Sequence, residues 1–298
     1  MSYAYYPGCS LKSSGKPYEA SLFKVFEAVG LSLDEIADWN CCGATSYTSV
    51  DDMKAYALAA RNLAIAERDG DGGVDLVAPC AACYLVLSKA QHYMKDNAAI
   101  GEGIAKGLGS VGLRYEGRVR VRHPLDVLIN DVGVEKIAQA VKKPLGGLKV
   151  ACYYGCQIVR PYSTFDDQHQ PTSMERLLGA AGAEIVDWPL KTRCCGGSLI
   201  GTIQEAGLRL GYILLKEAKK RGADVLVTAC PLCQFNLECF QDRMSKEFDD
   251  RVDINVAFFT QVLASALGAS DKEVGFDRLL KWDPPKPVGA EGGSHARA

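Results

Sequence analysis

Hydrophobic positions fall into short runs, and each run precedes a longer stretch with helical spacing. Residues 3–6 predict a strand that runs into Gly8-Cys9, and residues 11–16, with two serines and Gly15, predict a loop. Over 17–29, Leu22, Phe23, Phe26 and Val29 mark one face of an amphipathic helix stopped by Gly30. Residues 31–39 carry the chain back toward Cys41-Cys42. Ser49 with Asp52 predicts a cap for an Ala-rich helix over 53–68. Residues 74–78 predict a short strand ending at Pro79-Cys80, followed by a helix from Tyr84 to about Met94. Residues 119–122 predict another strand, and 125–129 open another helix.

The second half runs through the same order. Residues 148–154 predict a strand into Gly155-Cys156. Thr172 with Glu175 predicts a capping box for a helix ending near Gly182. Residues 183–188 predict a strand, 205–220 a long amphipathic helix, 223–229 a strand ending at Cys230, and Gln234 begins a helix. Residues 252–258 predict the last strand. The tail from about 283, with three prolines and several glycines, predicts loose order. Alternating strands and helices predict an α/β fold of two related lobes, 1–147 and 148–298, each with a small parallel sheet flanked by helices.

Cysteine spacing sharpens this repeat. Cys9, the pair Cys41-Cys42 and Cys80-Ala-Ala-Cys83 form one set of five; Cys156, the pair Cys194-Cys195 and Cys230-Pro-Leu-Cys233 form another. Intervening gaps are 31 and 37 residues in the first set, and 37 and 34 in the second. Each group follows a predicted strand or lies in the loop before a helix. In such lobes strand ends gather ligands on one edge, so both sets are expected at the lobe interface.

Composition limits the chemistry. The 298 residues are 48% hydrophobic and 23% charged, with a net charge of −2, which points to neither nucleic acid nor an anionic membrane surface. No apolar run reaches the roughly 18 residues of a membrane span, and the N-terminus lacks the pattern of a signal peptide. A cytoplasmic location is expected. There, twelve cysteines are not structural disulfides; buried small side chains explain one or two of them, not two matching sets. Metal ligation is the expected role.

Five thiols per set, two of them adjacent, bear on which metal. Successive side chains of an extended segment point apart, so one tetrahedral zinc would not readily use both members of a Cys-Cys pair. A cluster with several irons could. Gly43, Gly196 and Gly197 would let backbone approach inorganic sulfur. A four-cysteine zinc site with a spare thiol is the alternative, better suited to one half than to both.

This pattern resembles the CCG domain, and nearly the whole chain resembles the B subunit of heterodisulfide reductase, including the Hdr-like subunits of bacterial sulfur metabolism. Further segments carry the resemblance: Val121-Arg-His-Pro-Leu-Asp-Val-Leu128, Tyr154-Gly-Cys-Gln-Ile-Val-Arg-Pro161, and Asp166-Asp167 before Pro171-Thr-Ser. Related CCG domains occur in lactate-utilisation, glycolate-oxidase and succinate-dehydrogenase-type proteins. The resemblance implies two noncubane [4Fe-4S] clusters facing each other, one on Cys9, Cys41, Cys42, Cys80 and Cys83, the other on Cys156, Cys194, Cys195, Cys230 and Cys233. It implies a disulfide cleaved or formed between them, with electrons from a ferredoxin-like C subunit fed by a flavin-containing A subunit. An electron-relay or interaction subunit with no S–S substrate is the competing reading. On either reading Cys152 and Cys239 are left over: aligning the repeats puts Cys152 inside a strand and Cys239 well along a helix.

Few other residues invite chemistry. His123 precedes Pro124 at a strand end and reads as structural. His169, in the loop after Cys156, could protonate a departing thiolate, though a plain surface histidine explains it as well. Lys12, Lys16, Arg160, Lys191 and Arg193 flank the cysteines; they either converge on an anionic substrate or are solvated separately. Gly107-Leu-Gly-Ser-Val-Gly112 matches a nucleotide fingerprint in letters only, because no strand precedes it and no helix follows. It reads as a flexible loop, and neither flavin nor nicotinamide is expected on this chain.

Overall fold

A computed structural model describes residues 2–44, 47–70 and 73–283. The first half runs β1 (Ser2–Tyr5), α1 (Gly8–Leu11), α2 (Lys16–Ala28), β2 (Ser32–Glu35), α3 (Tyr47–Val50), α4 (Asp52–Asp69), β3 (Val74–Val77), α5 (Ala81–Asp96), α6 (Ala98–Ser110), β4 (Val119–Arg122) and α7 (Pro124–Asp126). A π-helical turn (Val127–Val132) leads to α8 (Val134–Ala140). The second half runs β5 (Lys149–Tyr153), α9 (Ser173–Ala180), β6 (Glu184–Ile185), a 3-10 turn (Gly197–Leu199), α10 (Gln204–Lys220), β7 (Val225–Thr228), α11 (Pro231–Cys239), α12 (Gln241–Glu247), β8 (Asn255–Phe258), α13 (Phe259–Ala266) and α14 (Asp271–Val274).

Each half builds one four-stranded, wholly parallel sheet, in the orders β2-β1-β3-β4 and β6-β5-β7-β8. The topology is therefore the same in both lobes, as the repeated sequence predicts. The inner strands β5 and β7 read as nearly continuous apolar runs, as expected where helices cover both faces, whereas the edge strand β2 (Ser-Leu-Asp-Glu) does not. In β7 all four residues are buried, and Cys152 in β5 lies in register with Val227. The lobes exchange helices: α13, beyond the fourth strand of the second lobe, packs on α2 of the first, while α7 and α8 pack on α9. Ser21 and Thr260 share a buried hydrogen bond of 2.7 Å across this boundary.

Several local expectations change. Residues 8–11 form the helical turn α1 where a loop is expected from residue 11 onward, and α2 begins at Lys16. Asp51, rather than Ser49, caps α4, its carboxylate accepting from the Lys54 N–H at 3.1 Å. Asp166 takes the part expected of a Thr172–Glu175 box, accepting from the N–H groups of Thr172 (3.0 Å) and Ser173 (2.8 Å). Glu175 is drawn away by Tyr154 and Lys191. Only Glu184–Ile185 of the expected strand 183–188 pairs. Gly107–Ser110 close α6 instead of forming a loop: Ile104 and Leu108 are buried, and that burial offsets the poor helix propensity of glycine. The expected loose tail lies outside the described residues beyond 283.

Candidate iron–sulfur centres

All ten cysteines of the two sets lie beyond the C-terminal ends of neighbouring strands. Cys9 follows β1, Cys41-Cys42 follow β2 and Cys80 follows β3; Cys156, Cys194-Cys195 and Cys230 stand likewise after β5, β6 and β7. The CxxC motifs open α5 and α11: Cys80 and Cys230 hold the N-cap positions, and Cys83 and Cys233 sit in the first turns. A helix N-terminus favours negative charge, hence a thiolate.

Exposure repeats as well. Cys9, Cys41, Cys156 and Cys194 are exposed; Cys42, Cys80, Cys83, Cys195, Cys230 and Cys233 are buried. In each lobe the second member of the Cys-Cys pair meets the second cysteine of CxxC, Cys42 to Cys83 at 3.2 Å and Cys195 to Cys233 at 3.3 Å between sulfurs. Hydrogen bonds divide the protons unevenly. Cys42 is held below the usual thiol value by Cys41 and Cys83, and Cys195 by Cys233. Cys83 and Cys233 are pushed up by the same contacts and by burial. The Cys156 thiol is raised by its bond to Cys194, which is drawn down to about 6.

Two glycines are required here. Gly8 and Gly155 hold φ of +66° and +72°, and a Cβ at Gly8 would lie 2.8 Å from the Cys83 sulfur. The Cβ of an alanine at Gly155 would stand 3.4 Å from the Cys233 sulfur. A Cβ at Gly43 or Gly196 would instead meet helix α4 at Ala55 or α10 at Gly207, while the Gly196 N–H itself lies 3.3 Å from the Cys194 sulfur. Among the described residues no group of three or more His, Cys, Asp or Glu side chains surrounds a single ion position. The donor chemistry fits a multi-iron cluster: each set is all-sulfur, with buried members on the protein side and exposed members on the other.

Tyr18 lies where the lobes touch, bonded to the carbonyl just before Cys80 and stacked on Phe258 of the second lobe. Its phenol is wholly buried and raised far above its ordinary value, by burial first and then by Cys80 of one set and Cys230 of the other. Its hydroxyl donates to the Pro79 carbonyl at 3.3 Å, and its ring stacks on Phe258 at 4.5 Å. The loop after Cys156 crosses to the first lobe, where Thr164 bonds Tyr84 at 2.6 Å, Tyr162 stacks on His92 and Phe165 lies parallel to His123.

The other candidates separate. Lys12 is taken by Glu19 and Glu35, and Lys191 by Glu175 and the Pro171 carbonyl. Arg160 donates to the Thr192 carbonyl. Lys16 and Arg193 remain exposed. His169 is exposed in its loop. Cys152 is fully buried and Cys239 half-buried near the end of α11.

His123 is fully buried, its Nδ1 accepting from the Leu125 N–H, so Nε2 donates to the Pro79 carbonyl at 3.1 Å. Burial lowers its pKa from 6.5 to about 3. The unfolded chain therefore takes up a proton below pH 6.5 that the folded chain refuses. Stability should fall by about 1.4 kcal/mol per pH unit from pH 6.5 toward 3 through this residue. Chemical unfolding at pH 7 and 5 should show a shallower fall for His123→Gln; equal slopes would remove histidine as the cause.

Sequence reasoning missed Tyr6, Tyr18, Asn62, Tyr153 and Asn236. Tyr6 and Tyr153 each donate to the carbonyl just before a Cys-Cys pair, and Asn236 donates to the Cys195 carbonyl at 2.6 Å. A signal existed for two of them: a tyrosine stands three residues before both Cys9 and Cys156.

Comparison with known proteins agrees with this architecture. The CCG cysteine-rich domain model matches residues 3–88 and again 150–238. A protein of Archaeoglobus profundus named as like the B subunit of heterodisulfide reductase is 33% identical over 281 residues, covering 92% of this chain and 93% of that protein. An 8-methylmenaquinol:fumarate reductase membrane anchor subunit of Wolinella succinogenes is 32% identical over 279 residues, covering 92% and 95%. A hypothetical protein from Helicobacter pylori shares the fold, with a TM-score of 0.73 at 16% identity; the match covers 93% of this chain and 51% of that one. No helix among the described residues is long and apolar enough to cross a membrane. With both cysteine-rich repeats matched and relatives aligned almost end to end, the chain belongs to the CCG cysteine-rich domain family, alongside the B subunits of heterodisulfide reductases.

Proposed function

We propose that this chain is the redox subunit of a cytoplasmic heterodisulfide reductase-like complex that cleaves or forms the S–S bond of a small or carrier-bound thiol. Cys9, Cys41, Cys42, Cys80 and Cys83 hold one noncubane [4Fe-4S] cluster, and Cys156, Cys194, Cys195, Cys230 and Cys233 hold the other. Bound there, iron–sulfur clusters would supply electrons singly for chemistry at a sulfur–sulfur bond. Reduction balances as one disulfide, two electrons and two protons giving two thiols; oxidation is the reverse. The observation that carries this reading is the repetition of one five-cysteine arrangement after equivalent strands of both lobes, with the same members exposed in each.

The chain's own residues bind and shield. Six buried cysteines anchor from the protein side, while the exposed ones leave room for a substrate sulfur. The loop after Cys156 narrows the approach over α5. Arg193, exposed beside Cys194, is placed in sequence to meet an anionic substrate end. Relatives named as B subunits of ferredoxin-dependent CoB-CoM heterodisulfide reductases support partners of a heterodisulfide reductase complex; a ferredoxin-like C subunit and a flavin-containing A subunit are the partners proposed.

The Wolinella succinogenes relative favours one second reading, an electron-relay subunit of a quinol-linked complex without a disulfide substrate. Anaerobic purification separates these. A brown protein with about eight irons per chain is expected, if each set carries one four-iron cluster. Reduced by a viologen, it should be reoxidised by a disulfide. Iron without disulfide-dependent reoxidation would favour the relay; a colourless, folded, zinc-loaded protein would end both.

A further inference from the structure

Each lobe contains one hydrogen bond at the same place whose purpose lies in the cysteine pair beside it. Tyr6 donates its hydroxyl to the Asn40 carbonyl at 2.8 Å, and Tyr153 donates to the Arg193 carbonyl at 2.6 Å. Asn40 and Arg193 directly precede Cys41-Cys42 and Cys194-Cys195. Both tyrosines are fully buried, each with its ring against a tryptophan, Trp39 at 5.8 Å and Trp188 at 6.0 Å. After burial itself, the groups that most perturb each phenol are four cysteines of its own set.

Adjacent side chains of an extended segment point apart, yet both members of each pair must reach one bound group. The backbone has to be bent and held at both ends of the pair. At the far end Gly43 and Gly196 take φ of +82° and +76°. At the near end stand the tyrosine hydroxyls. Between these points in the second lobe, the N–H groups of Gly196 and Gly197 turn toward the sulfurs of Cys194 and Cys195, 3.3 Å away in each case.

We propose that Tyr6 and Tyr153 are positioning residues, each phenol pinning the carbonyl ahead of its Cys-Cys pair and so turning both sulfurs toward one cluster. This rests on the two-cluster reading above. The two clamps are unequal. The Asn40 carbonyl also accepts from Asn62 Nδ2 at 2.9 Å, and Asn62 Oδ1 accepts from the Asn40 N–H at 2.9 Å. Among the described residues no second side chain donates to the Arg193 carbonyl. The second pair has its added hold two residues further on, Asn236 Nδ2 on the Cys195 carbonyl at 2.6 Å, so the carbonyl ahead of that pair depends on its tyrosine alone.

The test compares Tyr153→Phe and Tyr6→Phe with the wild-type chain, purified anaerobically. Phenylalanine keeps the buried ring and loses only the hydroxyl. Tyr153→Phe should change the electron paramagnetic resonance signature and midpoint potential of one cluster, and half of the iron should leave to a chelator about fivefold faster, the worth of one hydrogen bond. Tyr6→Phe should do the same more weakly to the other cluster. A wild-type chain without iron overturns the two-cluster reading and the clamp with it. Iron in the wild type, with signatures and potentials unmoved in both variants, overturns the clamp alone. A larger effect in Tyr6→Phe overturns the assigned inequality.

Discussion

Replacing Cys156 with alanine should remove about four of the roughly eight irons expected, whereas replacing Cys152 or Cys239 should remove none. Cys152 and Cys156 both precede the second Cys-Cys pair, so spacing alone does not choose between them. Their surroundings do. Cys152 sits inside β5, in register with Val227, and is fully buried. Burial pushes its thiol well above the usual value, which opposes the thiolate a metal needs. Its carbonyl accepts from Trp188 Nε1 at 2.9 Å, tying the strand to the core. Cys156 stands past the strand end, exposed and bonded to Cys194. Cys239 ends α11, roughly 9 Å along the helix from Cys233, and burial raises its thiol to about 11. Removing the buried Cys152 sulfur should lower stability by about 1 kcal/mol through lost packing while leaving the visible spectrum unchanged. The assignment is wrong if Cys152→Ala loses iron and Cys156→Ala keeps it.

The same contrast explains which features were readable from sequence. Cysteine spacing, the succession of strands and helices and the internal repeat are patterns along the chain, and chain order alone carries them to the strand ends. The caps were misread because acceptors compete. Glu175 lies at the right spacing to complete a capping box, but Tyr154 and Lys191 reach it from outside the helix. Asp166, six residues before Thr172, then supplies the missing acceptor through a loop whose path no periodicity encodes. Of the two readings of the cations, convergence fails for a related reason: Lys12 and Lys191 each find a carboxylate distant in sequence. Tyr18 could not be read at all, since its importance depends on two lobes meeting around it. Tyr6 and Tyr153 were half-visible, as a repeated tyrosine ahead of Gly-Cys with no local reason to be there.

Gly8→Ala should cost more iron than Gly155→Ala or Gly30→Ala, and it separates backbone strain from intrusion on the cluster. At φ +66° an alanine loses about 1–2 kcal/mol to the left-handed conformation. Gly30, at φ +76°, carries the same penalty, but a Cβ there meets nothing within 4 Å. Gly30→Ala should therefore lower stability and leave all the iron in place. At Gly8 the new Cβ also lies 2.8 Å from the Cys83 sulfur. That sulfur is fixed by the first turn of α5 and by its contact with Cys42, so it has little freedom to withdraw. The first cluster should be lost, taking iron from about eight to about four per chain. Gly155→Ala is intermediate, because its Cβ would meet the Cys233 sulfur at 3.4 Å, an ordinary contact in empty space but one that leaves less room for a bound group. Iron content and urea unfolding of the three variants should rank iron loss as Gly8, then Gly155, then Gly30, with Gly30→Ala destabilised but fully loaded. Equal iron in Gly8→Ala and Gly30→Ala would mean that the space beside Cys83 is not where the first cluster sits.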